Sequence, residues 1–306
     1  MKNKLIPLII VALFFSPSLS SGEKKKVKTV KISKLFDIKG PANDPLELPS
    51  DLAVTSNGNV YAVDGVNNRI LVYSKEGGFL FGFGKRGSKA GEFINPVGIG
   101  VSPQNNIFVA DKDNMRIQFF SQLGKFKGII DLKKMGVIPI DVAIEPDTGH
   151  CFITDNKRHR IVVYKQNGDF VRAWGERGEQ DREFRYPATL WFQERKLYVA
   201  DILNSRAVVY RNDGRFFRTV GEWGVLPGQF FRPKGVTVDK TGNIYISDSY
   251  LDVVQVFNNE GKFLHVLGDE GGRIRRFVTA AGIYIKGNIL YVTEMLENKI
   301  SVYKLN

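Results

Sequence analysis

Six stretches of the chain read almost alike: VYAVDGVNNRILVY (60–73), IFVADKDNMRIQFF (107–120), CFITDNKRHRIVVY (151–164), LYVADILNSRAVVY (197–210), IYISDSYLDVVQVF (244–257) and LYVTEMLENKISVY (290–303). Each is an apolar run, an acid, a four-residue turn, usually a basic residue, and a second apolar run. The acids are Asp64, Asp111, Asp155, Asp201, Asp248 and Glu294, spaced by 47, 44, 46, 47 and 46 residues. Self-similarity at such a period marks a repeat architecture in which every copy is one supersecondary unit.

Working outward from the first copy, Leu52 to Thr55 forms a strand and Asn57-Gly58 a tight turn. Val60 to Val63 and Arg69 to Tyr73 are the next two strands, and Glu76-Gly77-Gly78 turns the chain into Phe79 to Phe83. Later copies repeat the pattern, with turn signals at Thr148-Gly149, Asn167-Gly168, Asp213-Gly214, Thr241-Gly242 and Glu260-Gly261. No long stretch carries a helical period. Four short antiparallel strands per copy, repeated radially, predict an all-β, six-bladed β-propeller. The sixth copy stops at Asn306, straight after its third strand, whereas Val27 to Ile38 has no partner within its own copy. This N-terminal strand is expected to complete the last blade and close the ring, which removes an exposed sheet edge.

The composition agrees: 306 residues, 43% hydrophobic and 25% charged, with 31 glycines and 22 phenylalanines, suit a large turn-rich β-domain. At the N-terminus, Lys2 and Lys4 precede an apolar run from Leu5 to Phe15 and small residues from Ser16 to Gly22. That run is shorter than the ~20 residues a membrane-spanning helix requires. The order of charge, apolar run and small residues predicts a signal peptide over 1–21 and a single propeller domain over 22–306. The mature protein is then expected in the periplasm or outside a bacterial cell, without a transmembrane segment. Its net charge falls from +12 to +10 with the loss of Lys2 and Lys4. Cys151 is the single cysteine, so no intramolecular disulfide is possible and the core alone must hold the ring.

The runs NPVGIGVSPQNNIFVADKDNMRIQFF (95–120) and RPKGVTVDKTGNIYISDSY (232–250) resemble NHL repeats, as do the connectors GKRGSKAGEFINP (84–96) and GEWGVLPGQFFRP (221–233). The resemblance extends over nearly all of the expected mature chain and implies a six-bladed propeller. The family's functions are diverse: RNA-binding domains of regulatory proteins, sensor domains of bacterial kinases, and a lyase that processes amidated peptides. The resemblance therefore speaks for fold more than for function.

In a four-stranded blade, the turn between the second and third strands lies on the same face as the connector to the next blade. This face, the top, carries most of the chemically unusual residues. The connectors supply Lys85, Arg86, Lys89, Arg177, Arg182, Arg185, Arg232, Lys234, Arg273, Arg275 and Arg276, and the turns add Lys112, Lys157 and Arg158. Phe93, Tyr186, Trp223, Phe231 and Tyr250 lie among them. Cations interleaved with rings grip anionic or planar partners; the plainer reading is a solvated rim whose aromatics seal the gaps between blades. Phe93, Phe184 and Phe230 recur before each new blade and fit the seal. Trp223 and Tyr250 break the repeat and suit recognition equally well.

The acid-to-arginine pairs Asp64–Arg69, Asp111–Arg116, Asp155–Arg160 and Asp201–Arg206 bracket one turn each, as a structural device would in every blade. Near the channel, the residue two after each proline is Asp51, Gly98, Asp141, Thr189 or Gly235. Glycine suits crowding there. Asp51 and Asp141 are expected to hydrogen-bond strand ends, with a calcium ion in the channel as the other possibility.

No catalytic residues are expected. His150, His159 and His265 fall on different faces or layers and cannot converge on zinc. This departs from the family's amidating lyase, whose metal site relies on inner-strand histidines. Cys151 has no histidine placed to activate it. The expectation is a non-catalytic scaffold presenting a basic, aromatic-containing top to a protein, a peptide or an anionic envelope polymer; export makes nucleic acid an improbable partner. The alternative is a propeller-type lyase or hydrolase using a divalent cation in the channel.

Overall fold

The computed structural model describes residues 27–306; the expected signal peptide lies outside the described residues. The first blade is Leu52–Val54, Val60–Asp64, Arg69–Tyr73 and Phe79–Phe83, paired in that order. Four further blades start from the inner strands Pro96–Val101, Pro139–Ile144, Pro187–Gln193 and Pro233–Val238, each followed by three antiparallel partners. Proline opens these strands because the first position of a strand tolerates a missing N–H.

The sixth blade contains Ala280–Lys286, Ile289–Glu294 and Lys299–Leu305, and its fourth strand is Thr29–Ile38 from the other end of the chain. Ile38 pairs with Ile300 and Asp37 with Ser301. The first residues of the same strand also run parallel to the outer strand of blade 5, with Thr29 opposite Val266. The ring is therefore closed as expected, and the closing strand is held from both sides. No helix among the described residues is long and apolar enough to cross a membrane.

The core lies between blades. Second and third strands are buried on both faces because each blade packs against two neighbours. One interlayer joins Tyr61, Ile70 and Val72 of blade 1 to Ile99, Val109 and Phe120 of blade 2. Another joins Phe152 and Val163 of blade 3 to Val199 and Tyr210 of blade 4. Phe93, Phe184, Phe230 and Phe277 are fully buried, which bears out the sealing role. Gly84 (φ +93°) makes room for its partner ring, since a Cβ there would overlap Phe93.

The repeated acids anchor the connectors. Asp111 accepts hydrogen bonds from Ile94 N (2.8 Å), Arg116 Nε (2.7 Å) and Gln118 Nε2 (3.1 Å). Arg116 in turn donates to the carbonyls of Ser88, Lys89 and Glu92. Asp64, Asp155 and Asp201 repeat the arginine contact at 2.7, 2.9 and 3.2 Å. In blade 5, where Val253 replaces the base, Gln255 takes over by bonding Gly228 N and Gln229 O. In blade 6, Glu294 meets Lys299 at 3.8 Å. These acids are a structural device.

Candidate binding face and central channel

Asn95 N donates to Asn68 Oδ1 (2.9 Å), which places a connector and a turn between second and third strands on one face, the top. The candidate residues are distributed around this face rather than gathered at one point. Lys85 meets Glu92 at 3.5 Å, and Arg86 and Lys112 lie farther along the rim of blades 1 and 2. Arg158 donates to the carbonyls of Met135 (2.8 Å) and Gly136 and so holds a neighbouring turn. Arg273 pairs with Asp269 at 3.0 Å, and Arg276 donates to Leu251 O. Arg275 stacks against Phe277 and Tyr303 and donates to the Tyr303 hydroxyl (3.0 Å), a packing role that sequence did not suggest.

Blades 4 and 5 do bring candidates together. Trp223 stands on the connector segment Glu222–Trp223, braced by parallel pairing with Gln229–Phe230. A cleft of about 460 Å³ runs between this segment and the top turn of blade 4, lined by Arg185, Leu203, Asn204, Glu222 and Trp223 among others. Arg185 is bonded to Glu179 at 2.9 Å at its edge. Beside it, Tyr250 stacks on Phe231 with ring centroids 4.1 Å apart. Ser249 N donates to Arg232 O (3.0 Å), so Arg232 and Tyr250 are fixed side by side. Tyr186 N donates to His159 Nδ1 (3.2 Å).

Trp223 is 70% exposed, Leu226 63%, Leu203 52% and Tyr250 52%. Among the described residues, Arg177, Arg182 and Arg232 are exposed and have no carboxylate partner. Leu203, Val225 and Leu226 were not singled out from sequence. For Val225 and Leu226 the signal was available, since the equivalent connector positions are Ser88 and Lys89 or Glu179 and Gln180; Leu203 shares its turn position with Val66 and Leu296 and gave none.

Near the top ends of the inner strands, neighbouring blades are joined through two carboxyl groups. Asp51 Oδ2 accepts Ile99 N of the next blade (3.0 Å). Asp141 Oδ2 accepts Leu190 N of its next blade (2.7 Å), and Oδ1 accepts Val142 N (2.7 Å). A Cβ at Gly98 would sit 2.6 Å from Asp141 Oδ1, so glycine makes room for the carboxyl, as crowding predicted. Burial pushes Asp51 up to about 7 and Asp141 well above the usual carboxylate range, Asp141 also through the charge of Asp51. Lys234 is lowered by burial, partly offset by Asp51, and lies 3.0 Å from Met295 Sδ.

A channel cavity of about 290 Å³ is lined by Asp51 and Asp141 and, toward the bottom face, by Trp191, Phe192 and Tyr284. Calcium takes six to eight oxygens. Here the pair offers two carboxyl groups, both bonded to backbone N–H and both inclined to hold protons. Among the described residues, no group of three or more His, Cys, Asp or Glu side chains is placed to hold a metal. His150 lies 3.5 Å from Glu145, His159 under Tyr186, and His265 on an outer strand, lowered by burial. Cys151 is buried, its thiol pushed up to about 12.

Comparison with known proteins agrees with this architecture. The NHL repeat model matches residues 46–73 and 93–120, and a model described as a 6-bladed beta-propeller matches 179–252. Protein brain tumor of Drosophila melanogaster is 38% identical over 98 residues, 30% of this chain and 10% of that protein. NHL repeat-containing protein 3 of Homo sapiens is 28% identical over 131 residues, 41% of this chain and 38% of that one. The probable peptidyl-alpha-hydroxyglycine alpha-amidating lyase pgal-1 of Caenorhabditis elegans is 26% identical over 129 residues, 41% of this chain and 35% of that one. The chain thus spans well under half the length of these relatives. Among solved structures, a streptogramin B lyase superposes with TM-score 0.61 at 18% identity, covering 83% of this chain and 78% of that one. A gluconolactonase from Xanthomonas campestris gives 0.60 at 16%, covering 92% and 99%. At these identities the likeness is one of fold. The sealing phenylalanines, the anchored acids, the closed ring and the matched repeats together make this chain a six-bladed β-propeller that carries NHL repeats.

Proposed function

We propose that this propeller is an exported, non-catalytic recognition scaffold whose top face over blades 4 and 5 docks an acidic polypeptide. The observation that carries the reading is the exposure of Trp223, Leu203, Leu226 and Tyr250 on the connector and top turns of blades 4 and 5, with Trp223 and Leu203 lining one cleft and the unpaired Arg232 fixed next to Tyr250. Exposed apolar side chains grouped in one place mark interaction sites. Tryptophan, tyrosine and arginine are the side chains that dominate interface energies. The bracing strand pair under Trp223 lowers the ordering cost on binding. The apolar content favours a polypeptide over a polysaccharide, and the surrounding cations favour an acidic one. Export rests on the charged, apolar and small-residue order of the first 21 positions.

The lyase names among relatives and structural neighbours belong to those proteins. Catalysis here would need a cation or a converging acid–base set in the channel, and Asp51 and Asp141 are occupied in stitching blades together. Selection from a displayed random-peptide library tests the reading. Enriched peptides are expected to combine Asp or Glu with a leucine or aromatic anchor and to lose binding to Trp223→Ala. Enrichment of basic peptides, or none, would contradict it.

A further inference from the structure

At the bottom outer edge of blade 4 the repeat is broken. In blades 1, 2, 3 and 5 the pairing of second and third strands ends on apolar partners: Val60 with Tyr73, Ile107 with Phe120, Cys151 with Tyr164, Ile244 with Phe257. Blade 4 has the equivalent pair, Leu197 with Tyr210, and then extends the ladder by one more, Lys196 with Arg211. Two cations stand directly opposite one another. Like charges in that position are destabilising, and blade 6, which also extends, places Ile289 opposite Lys304 instead.

The crowding continues onto the outer strand. Lys196 Nζ lies 5.4 Å, Arg211 Cζ 5.4 Å and Arg218 Cζ 4.5 Å from the centroid of the Phe217 ring. Ring faces attract cations, so Phe217 serves as a hub that holds the three together. Arg195 and Arg215 line the same cleft, of about 440 Å³, with the acids Glu194 and Asp213. Asp213 is taken by Arg215 at 2.6 Å. Among the described residues, Arg195, Lys196, Arg211 and Arg218 have no carboxylate within ion-pair distance, and the buried Arg218 Nε has no hydrogen-bond partner.

We infer that this cleft binds a phosphoryl group. Cations from two paired strands, Lys196 and Arg211, and from the adjoining turns, Arg195 and Arg215, line one space, which matches a tetrahedral dianion with several free oxygens better than the single edge of a carboxylate. Guanidinium forks are suited to phosphate geometry. The cleft is larger than phosphate alone needs, and its floor is the apolar Phe217, so the ligand is a phosphate ester with a small body. The site lies on the face opposite the docking surface and does not depend on it.

Two sources share this chemistry, a soluble phosphomonoester and the headgroup of an anionic phospholipid. Calorimetric titration with glycerol 3-phosphate and with inorganic phosphate probes the first. Co-sedimentation with phosphatidylglycerol vesicles in a phosphatidylcholine background probes the second. Saturable binding is expected in one arm, weakened roughly tenfold or more by Lys196→Gln/Arg211→Gln and unaffected by Arg273→Glu/Arg276→Glu. If the double variant does not fold, Arg211→Gln alone, at the exposed strand end, takes its place. A second readout separates binding from mere structure: without phosphate, Lys196→Gln is expected to raise the melting temperature by relieving repulsion, and phosphate is expected to raise it for wild type only. No saturable binding in either arm, or binding unchanged in the variants, overturns the inference.

Discussion

Asp141 in the third blade accepts the backbone N–H of Leu190 in the fourth at 2.7 Å, across a ring position that two blades share. Asp51 does the same for Ile99 between the first and second blades. These side chains act as staples between inner strands, buried where a charged carboxylate is poorly solvated.

Stability should therefore fall as pH rises. Burial raises Asp51 to about 7 and Asp141 also upward, while both have ordinary values near 3.8 in the unfolded chain. Between about pH 4 and 7 the folded state binds more protons than the unfolded one. Its advantage is complete below the unfolded value and is lost as pH rises through the folded one. Asp51→Asn keeps an acceptor for Ile99 N and removes the charge. Urea melts at pH 5 and pH 8 should show a smaller pH difference for this variant than for wild type; an unchanged difference would refute the assignment.

Chelation is expected to leave the melting temperature and circular dichroism unchanged, because the two channel carboxyls do not make up a calcium shell. A stabilising shift on adding calcium to chelated protein would show otherwise.

The repeat-wide acids are predicted to be unequal. Asp111→Ala strips an acceptor from Ile94 N, Gln118 and the largely buried Arg116 at once. Its cost is expected at about 3–5 kcal/mol, as for a buried pair broken from one side. Asp248, whose partners are the backbone N–H groups of Phe231, Arg232, Tyr250 and Leu251 with no arginine, should cost about 1–3 kcal/mol on the same change. Chemical denaturation ranks the two.

Ring closure has its own test. Ile38 is buried against Ile300 and Val302 on the strand from the opposite terminus. Ile38→Ala should cost about 2–5 kcal/mol, comparable to a central core truncation; a cost near zero would mean that the closing strand is dispensable.

The period of the acids and the unmatched strand at Val27 to Ile38 made the ring legible in the sequence, because both follow from strand-level periodicity. The acids were legible as structure for the same reason: each recurs with its turn. Other features depend on three-dimensional register. That Asp51 reaches Ile99, 48 positions away, requires knowing which blades adjoin. The opposition of Lys196 and Arg211 arises from one additional pair in a single blade, invisible until the ladder is drawn. Trp223 could be recognised as breaking the repeat, but its cleft with Leu203 depends on how the irregular connector folds. Arg275 looked like a surface cation and is instead packed on Tyr303.

On the proposed function, the top of blades 4 and 5 is the docking face. Its most direct test is capture from an envelope extract, quantified in parallel for wild type, Trp223→Ala/Arg232→Glu and the bottom-face pair Lys196→Gln/Arg211→Gln. An acidic protein is expected to be retained by wild type and by the bottom-face variant and lost from the top-face variant, with retention falling as salt increases. Equal recovery of every partner by all three proteins would contradict it.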